Sequence, residues 1–252
     1  MGYHWNWAIL LQPEPGGTGT YLHYLVVGLA WTLATALCAW IVALVIGSLV
    51  GTLRTTSQPW VVRLGNGYVE IFRNVPLIVQ LFLWFFVFPE LIPVSMGNAI
   101  KQMPPPWSAF LPAVLCLGTF TSVRVAEQVR AGIGSLPRGQ RLAGTAMGLT
   151  QMQTYRYVIL PQAFRIILPP LTSEFMNIIK NSSVAFTIGL MELTGRARAM
   201  QEFSFQVFEA YAAATVLYLL TNLVVVVAMR AVEARVRVPG LIAVGGAPMA
   251  GH

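Results

Sequence analysis

Arg124 and Glu127 stand three positions apart, and Glu174 and Lys180 six, in stretches otherwise built mainly from Val, Leu, Ile, Phe and Ala. A charge at mid-bilayer on a lipid-facing helix costs roughly 2.5–3.5 kcal/mol, so four of them facing hydrocarbon would cost on the order of 10 kcal/mol. They must turn inward, towards one another or a watery path. A spacing of three puts Arg124 and Glu127 on one helical face, where they can pair. Ser173, Asn177 and Asn181 recur every four residues and lay a polar stripe along the stretch that carries Glu174 and Lys180; Ser182 adds a hydroxyl at its end. Pro169 and Pro170 interrupt the start of that stretch and free backbone carbonyls that need partners in protein or water. The chemistry open to Arg124, Glu127, Glu174, Asn177, Lys180, Asn181 and Ser182 is solvation of a polar solute inside an apolar medium. The structural alternative is that the carboxylates tie helices together while Lys180 snorkels to the interface.

Bond-breaking chemistry finds no such footing. The nine acidic residues are all Glu, and the three histidines (His4, His23, His252) lie far from any carboxylate pair. No catalytic constellation and no metal-ligand spacing can be assembled. The only lysines, Lys101 and Lys180, each follow an isoleucine, so no phosphate-binding G-x-x-x-x-G-K-[ST] loop exists. Cys38 and Cys116 fall in apolar stretches and read as small fillers. The sequence reads as a non-enzyme with no metal site.

The elements that must position these groups follow from composition. The chain is 56% hydrophobic and 10% charged, against about a quarter charged for a soluble domain. Five spans of about 20 apolar residues are expected near 21–50, 75–92, 109–129, 165–190 and 208–229. The apolar runs are continuous rather than alternating, which excludes a β-barrel. The expected fold is an all-α membrane protein with three parts: an external segment 1–20, a transmembrane domain 21–238 and a flexible cytoplasmic tail 239–252.

Residues 1–53 hold no Lys or Arg, whereas Arg54, Arg63 and Arg73 follow the first span. Arg130, Arg138, Arg141 and Arg156 follow the third, and Arg230, Arg235 and Arg237 the fifth. The positive-inside bias then puts the N-terminus outside and the C-terminus in the cytoplasm. Arg196 and Arg198 run against it, offset in part by Glu192 and Glu202. No cleavable signal peptide is apparent, and Trp5 and Trp7 suit an interfacial segment on the outer face. The net charge of +7 fits anionic lipid contact; the arginines do not form a basic domain with interleaved aromatics, which argues against nucleic acid.

A polar, basic island at 140–163 breaks the apolar pattern. Residues 139–147 suit a short surface helix with small side chains at Ala143, Gly144 and Ala146 that let a partner approach the backbone. Gly148 supplies a positive-φ stop, and Pro161 suits the start of the next element. Gly148, nine residues, Val158, one residue and Leu160-Pro161 give G-x9-[IV]-x-L-P. That spacing resembles the cytoplasmic coupling loop (about 138–161) of the membrane subunits of ABC importers. F-R-N-V-P-L-I-V-Q (72–80), E-Q-V-R-A-G-I-G-S-L-P-R-G-Q (127–140), L-P-Q-A-F-R (160–165) and K-N-S-S-V-A-F-T-I-G-L-M-E-L (180–193) resemble the polar amino acid permeases, particularly those of glutamate/aspartate importers.

The resemblance implies a type I ABC importer permease fold in the bacterial inner (plasma) membrane, working by alternating access. It implies coupling residues at Arg138, Gln140, Arg141, Leu142, Ala143, Gly144, Met147 and Gly148. Implied partners are ABC ATPase subunits that bind ATP and Mg in this chain's stead, a homologous second permease or a second copy of this one, a periplasmic solute-binding protein and membrane lipid. The family pattern begins E-A-A where this chain has Leu142, Ala143 and Gly144, so the acidic position is apolar. Many such permeases carry a tyrosine where Arg124 stands, and an arginine fork there suits a substrate carboxylate. Another polar or basic amino acid as substrate, or a stand-alone membrane carrier, remain the alternatives.

Overall fold

Helix α1 (Tyr21–Leu53) is 33 residues long and sorts its side chains by size. Gly28, Thr32, Thr35, Ala36, Ala39, Ala43, Gly47 and Gly51 form its buried face, while Leu37, Ile41, Val45 and Leu49 point outward. Small residues on one face let another backbone come close, the usual basis of helix pairing in lipid. Thr20 caps the helix, its side chain accepting from the His23 amide.

The computed structural model describes residues 3–17 and 19–236, so the tail expected at 239–252 lies outside the described residues. A short 3-10 helix (Trp7–Leu11) precedes α1. After α1 come α2 (Pro59–Asn74) and α3 (Leu77–Phe82), then a π turn (Leu83–Val87) leading into α4 (Phe88–Leu91). Then follow α5 (Val94–Lys101), α6 (Trp107–Gly134), α7 (Arg138–Ala146), α8 (Gln151–Thr154), a second π turn (Tyr155–Ile159) and α9 (Leu160–Asn181). A 3-10 helix (Ser182–Ile188), α10 (Leu193–Ser204) and α11 (Val207–Val236) complete the chain. No β-strand occurs among the described residues.

The centre is α6, packed along α1. A side chain on Gly47 would stand 2.6 Å from the Ser122 carbonyl oxygen, and one on Gly118 would stand 2.6 Å from Val42. Across the other side of α6, the second π turn brings Ile159, and α9 brings Ala163, Ile167, Leu171 and Ile178, into the same core. A second cluster joins α1 to α10 and α11 through Leu25, Leu193, Met200 and Ala214.

Among the described residues, three helices are long and apolar enough to cross a bilayer: α1, α6 and α11, with mean hydropathies of 2.4, 1.6 and 2.2. The segment expected as one span at 75–92 is different. Pro59–Asn74 and Leu77–Leu91 meet at a bend of 103°, and Leu77–Leu91 covers only roughly 22 Å at 1.5 Å per residue. Pro76 forces the bend, because it denies α3 an amide and biases Val75 to extended backbone. Gln80 closes the break, donating from Nε2 to the carbonyls of Phe72 (2.7 Å) and Val75 (2.9 Å). The stretch expected at 165–190 falls on α9 and the 3-10 helix after it; Arg165, Glu174 and Lys180 make it the polar member of the bundle.

Two prolines are absorbed in one way. Pro89 and Pro161 each stand two residues after a π turn, and Phe88 and Leu160 donate back five residues to Leu83 and Tyr155. A proline in a helix lacks an N–H and crowds the carbonyl four residues back. One extra residue in the preceding turn relieves both faults. Pro161 lies in the first turn of α9, as the sequence suggested, but α9 is not a fresh start: α8, the π turn and α9 run on from Gln151. The true start is a capping box, Thr150 accepting from the Gln153 amide and Gln153 from that of Thr150. Pro169 and Pro170 also sit inside α9, which continues through them.

Candidate functional site: an ion-paired cavity and a surface helix

Arg124 projects from α6 over the Phe120 ring, 5.0 Å from its centroid. Its Nη1 lies 3.5 Å from Glu174 Oε2 on α9. Glu127, one turn further along α6, is held elsewhere: 3.0 Å from Arg54 at the end of α1, and 4.0 Å from Arg130. The pairing of Arg124 with Glu127 expected from their spacing is therefore absent. Arg54 is buried, donates from Nε to Asn66 of α2 at 2.8 Å, and outcompetes Arg124 because it arrives already desolvated. A cavity of ≈ 210 Å³ opens between α2, α6 and α9, lined by Arg73, Arg124, Glu127, Gln128 and Glu174 with Phe72 and Phe120. Its polar lining combines two guanidinium groups, two carboxylates and an amide, enough to hold a small zwitterion or dicarboxylate.

Lys180 lines a different cavity, ≈ 310 Å³, with Ser183, Thr194, Tyr218 and Asn222. Asn177 and Asn181 are half-buried and line neither cavity. Ser182 is fully buried, its hydroxyl donating to the Ile179 carbonyl at 2.8 Å, so it offers nothing to a solute.

The surface helix is α7. Gly148 has φ 78 and ends it in a Schellman arrangement: Leu149 donates to the Gly144 carbonyl (3.0 Å) and Gly148 to that of Thr145 (2.9 Å). Leu142 and Met147 are 70% and 80% exposed, while Ala143 and Ala146 are also open. Gly144 behaves otherwise than expected: it is buried, and a side chain there would stand 2.8 Å from Thr154. Its smallness serves packing of α7 on α8 within this chain. Gln140 donates to Gln162 of α9 at 2.8 Å, and the Arg141 guanidinium lies 5.5 Å from the Tyr155 ring centre. These two contacts tie the surface helix to the helix that carries Glu174.

Sequence reasoning missed three buried polar anchors. Arg54 was read only as a boundary charge. Gln80 stands alone in the apolar run 77–87, and that isolation was its signal. Glu192 was read as offsetting Arg196 and Arg198, yet it is fully buried and caps α10. It accepts from Gly195 (2.8 Å), Thr194 (3.0 Å), Tyr218 (3.0 Å) and Thr32 (3.3 Å). Burial pushes its carboxyl above the ordinary carboxylate range while these four donors pull it back. Arg198 pairs instead with Glu202, and Arg196 lies on the Tyr24 ring at 4.3 Å.

A helical bundle with polar cavities and an exposed surface helix, α7, suits a membrane transport subunit. The chain belongs to the family of binding-protein-dependent transport system inner membrane components, which it matches over residues 23–238. It is 49% identical over 241 residues to the glutamate/aspartate import permease protein GltJ of Escherichia coli (strain K12), covering 95% of this chain and 98% of that protein. The glutamate/aspartate import permease protein GltK of Escherichia coli O6:H1 is 28% identical over 200 residues, 79% of this chain and 84% of that one. The crystal structure of an amino acid ABC transporter with histidines shares the fold, with TM-score 0.71 and 29% identity over 85% of this chain and 95% of that one. The chain thus has the type I ABC importer permease fold and is a transport component rather than an enzyme.

Proposed function

We propose that this chain passes acidic amino acids, glutamate and aspartate, across the bacterial inner membrane as the permease of an ATP-driven importer. The observation that carries the reading is its 49% identity to GltJ over nearly the whole of both chains. The cavity supports it, because Arg124 and Arg73 offer cations to a side-chain carboxylate and Glu174 a counter-charge to an α-ammonium group. Arg124 exchanges its partner Glu174 for substrate as the path opens, and Lys180, Asn177 and Asn181 serve the solute further along α9.

ATP and Mg act on a separate ATPase, which grips α7 through Leu142, Met147 and the arginines beside them. Closure of the motors moves α7, and the Gln140–Gln162 and Arg141–Tyr155 contacts carry that movement into α9. A second permease pairs with this one. The relatives GltJ and GltK both occur in Escherichia coli O6:H1, which favours a homologous partner over a second copy. A periplasmic binding protein delivers substrate at the end of the bundle opposite α7. The N-terminus is outside and the C-terminus in the cytoplasm.

The test is labelled glutamate uptake into proteoliposomes that hold the complex with its motors facing lumenal ATP, with and without this chain. Accumulation that needs both ATP and this chain is expected. An assembled complex that accumulates glutamine or a basic amino acid but no glutamate would overturn the acidic assignment.

A further inference from the structure

Two clefts meet beneath the surface helix, and neither belongs to the solute path. One, of ≈ 660 Å³, lies between the α1–α2 loop and the start of α8, with Leu53, Met152 and Leu160 as apolar lining and Arg156 beside it. The other, of ≈ 590 Å³, holds Arg141 and the hydroxyls of Thr55, Thr145 and Thr154. They share Thr56, Ser57, Gln151 and Tyr155, so they lie side by side. No acidic residue lines either part. The Tyr155 hydroxyl donates to the Thr55 carbonyl at 2.9 Å and pins the wall between them.

The apolar arm continues outward. Ile41, Val45 and Leu49 form the exposed stripe of α1 at steps of four, and Leu53, the next step, lines the cleft. A stripe at steps of four winds slowly round the helix, and on a membrane span an open apolar stripe meets acyl chains. A chain lying along that stripe ends at Leu53, with its headgroup among hydroxyls and beside Arg156. Basic pockets between helices at the cytoplasmic boundary suit anionic headgroups.

We propose that the cleft beside Arg156 binds an anionic phospholipid, its acyl chain along the α1 stripe and its phosphate at Arg156, with Arg141 adding positive potential from the adjoining cleft. The proposal rests on the reading of α7 as the cytoplasmic coupling helix, since that places the cleft at the leaflet boundary. Bound there, the lipid would brace the α1–α2 loop against the helix that receives the motor's push.

The test uses the assembled complex, delipidated and offered equal amounts of dioleoyl phosphatidylglycerol and dioleoyl phosphatidylcholine, with bound lipid counted by native mass spectrometry. Preferential retention of phosphatidylglycerol is expected. Arg156→Gln should weaken it about fivefold, the worth of one arginine near an anionic surface, and Arg156→Lys should restore most of it. Leu53→Trp, which fills the apolar arm, should lower retention without touching either arginine. Equal retention of the two lipids overturns the proposal, as does indifference to both Arg156→Gln and Leu53→Trp. Displacement by inorganic phosphate with Leu53→Trp silent would assign the site to free phosphate and overturn it too. Because lipid is counted rather than transport, a complex that retains phosphatidylglycerol yet accumulates no glutamate removes the substrate assignment alone.

Discussion

Arg124 of α6 reaches across to Glu174 of α9, 3.5 Å away, and leaves Glu127 on its own helix to Arg54. Two ion pairs thus join three helices. The Arg54–Glu127 pair lies inside the closely packed α1–α6 unit, with Asn66 bringing in α2. The Arg124–Glu174 pair crosses from that unit to α9, beside a cavity. The second pair is long and partly open, so it contributes about 1 kcal/mol at most to holding the helices together.

That weakness separates transport from assembly in Arg124→Tyr. Loss of the guanidinium should reduce glutamate uptake at least about tenfold, the worth of one charge-assisted hydrogen bond. Co-purification with the partner subunits should stay at the wild-type level. Unchanged uptake by the variant would show that Arg124 does not serve the solute.

Leu142 stands open on α7, where the family pattern has a glutamate. An apolar side chain with no partner in its own chain becomes an anchor when an ATPase covers it, contributing roughly 1.5–3 kcal/mol if fully buried. Leu142→Ser should weaken ATPase binding on the order of tenfold or more while the thermal stability of the isolated subunit holds. Equal affinity of the variant, measured by titrating ATPase onto the permease, would exclude Leu142 from the contact.

Gly118→Leu drives a side chain into Val42 at the α1–α6 contact. Overpacking of this kind costs about 1–3 kcal/mol, occasionally more. The expected result is a lowered unfolding temperature in detergent and loss of the assembled complex. The same change at Gly139, where nothing stands within 4 Å, should leave the unfolding temperature nearly unmoved and serves as the control.

Glu192→Ala removes the cap of α10 and leaves four donors around a buried gap. A lost cap and unsatisfied buried donors together cost about 2–4 kcal/mol. Glu192→Gln keeps one acceptor oxygen and should lose less. If thermal unfolding does not distinguish either variant from the wild type, the network does not hold α10 to α1 and α11.

The helical bundle was legible because lipid imposes one requirement on every span. The continuous apolar runs around Ala36, Leu117 and Val225 could be nothing else. The surface helix α7 was legible through Gly148, whose positive φ the spacing already demanded. The partner of Arg124 was not legible: spacing along a helix names a neighbour on the same face, whereas Glu174 comes from 50 residues away. Arg54 entered the contest for Glu127 only once α1 and α6 were side by side. Pro161 marked the first turn of α9 but not the π turn leading into it, because proline suits a helix start and a distorted helix interior equally well.

The π turn before Pro161 has a reach beyond its own five residues. In a regular α-helix one residue more or less rotates everything after it by about 100°, one part in 3.6 of a full circle, and the π turn takes up that residue locally. The phase of Glu174, Asn177 and Lys180 around α9 is therefore set at Tyr155–Ile159, directly beneath the surface helix. Straightened to plain α geometry with no residue removed, the same chain would swing the carboxylate away from Arg124 without altering a single side chain in the cavity. The facing of the Arg124–Glu174 pair is thus settled beside the surface helix.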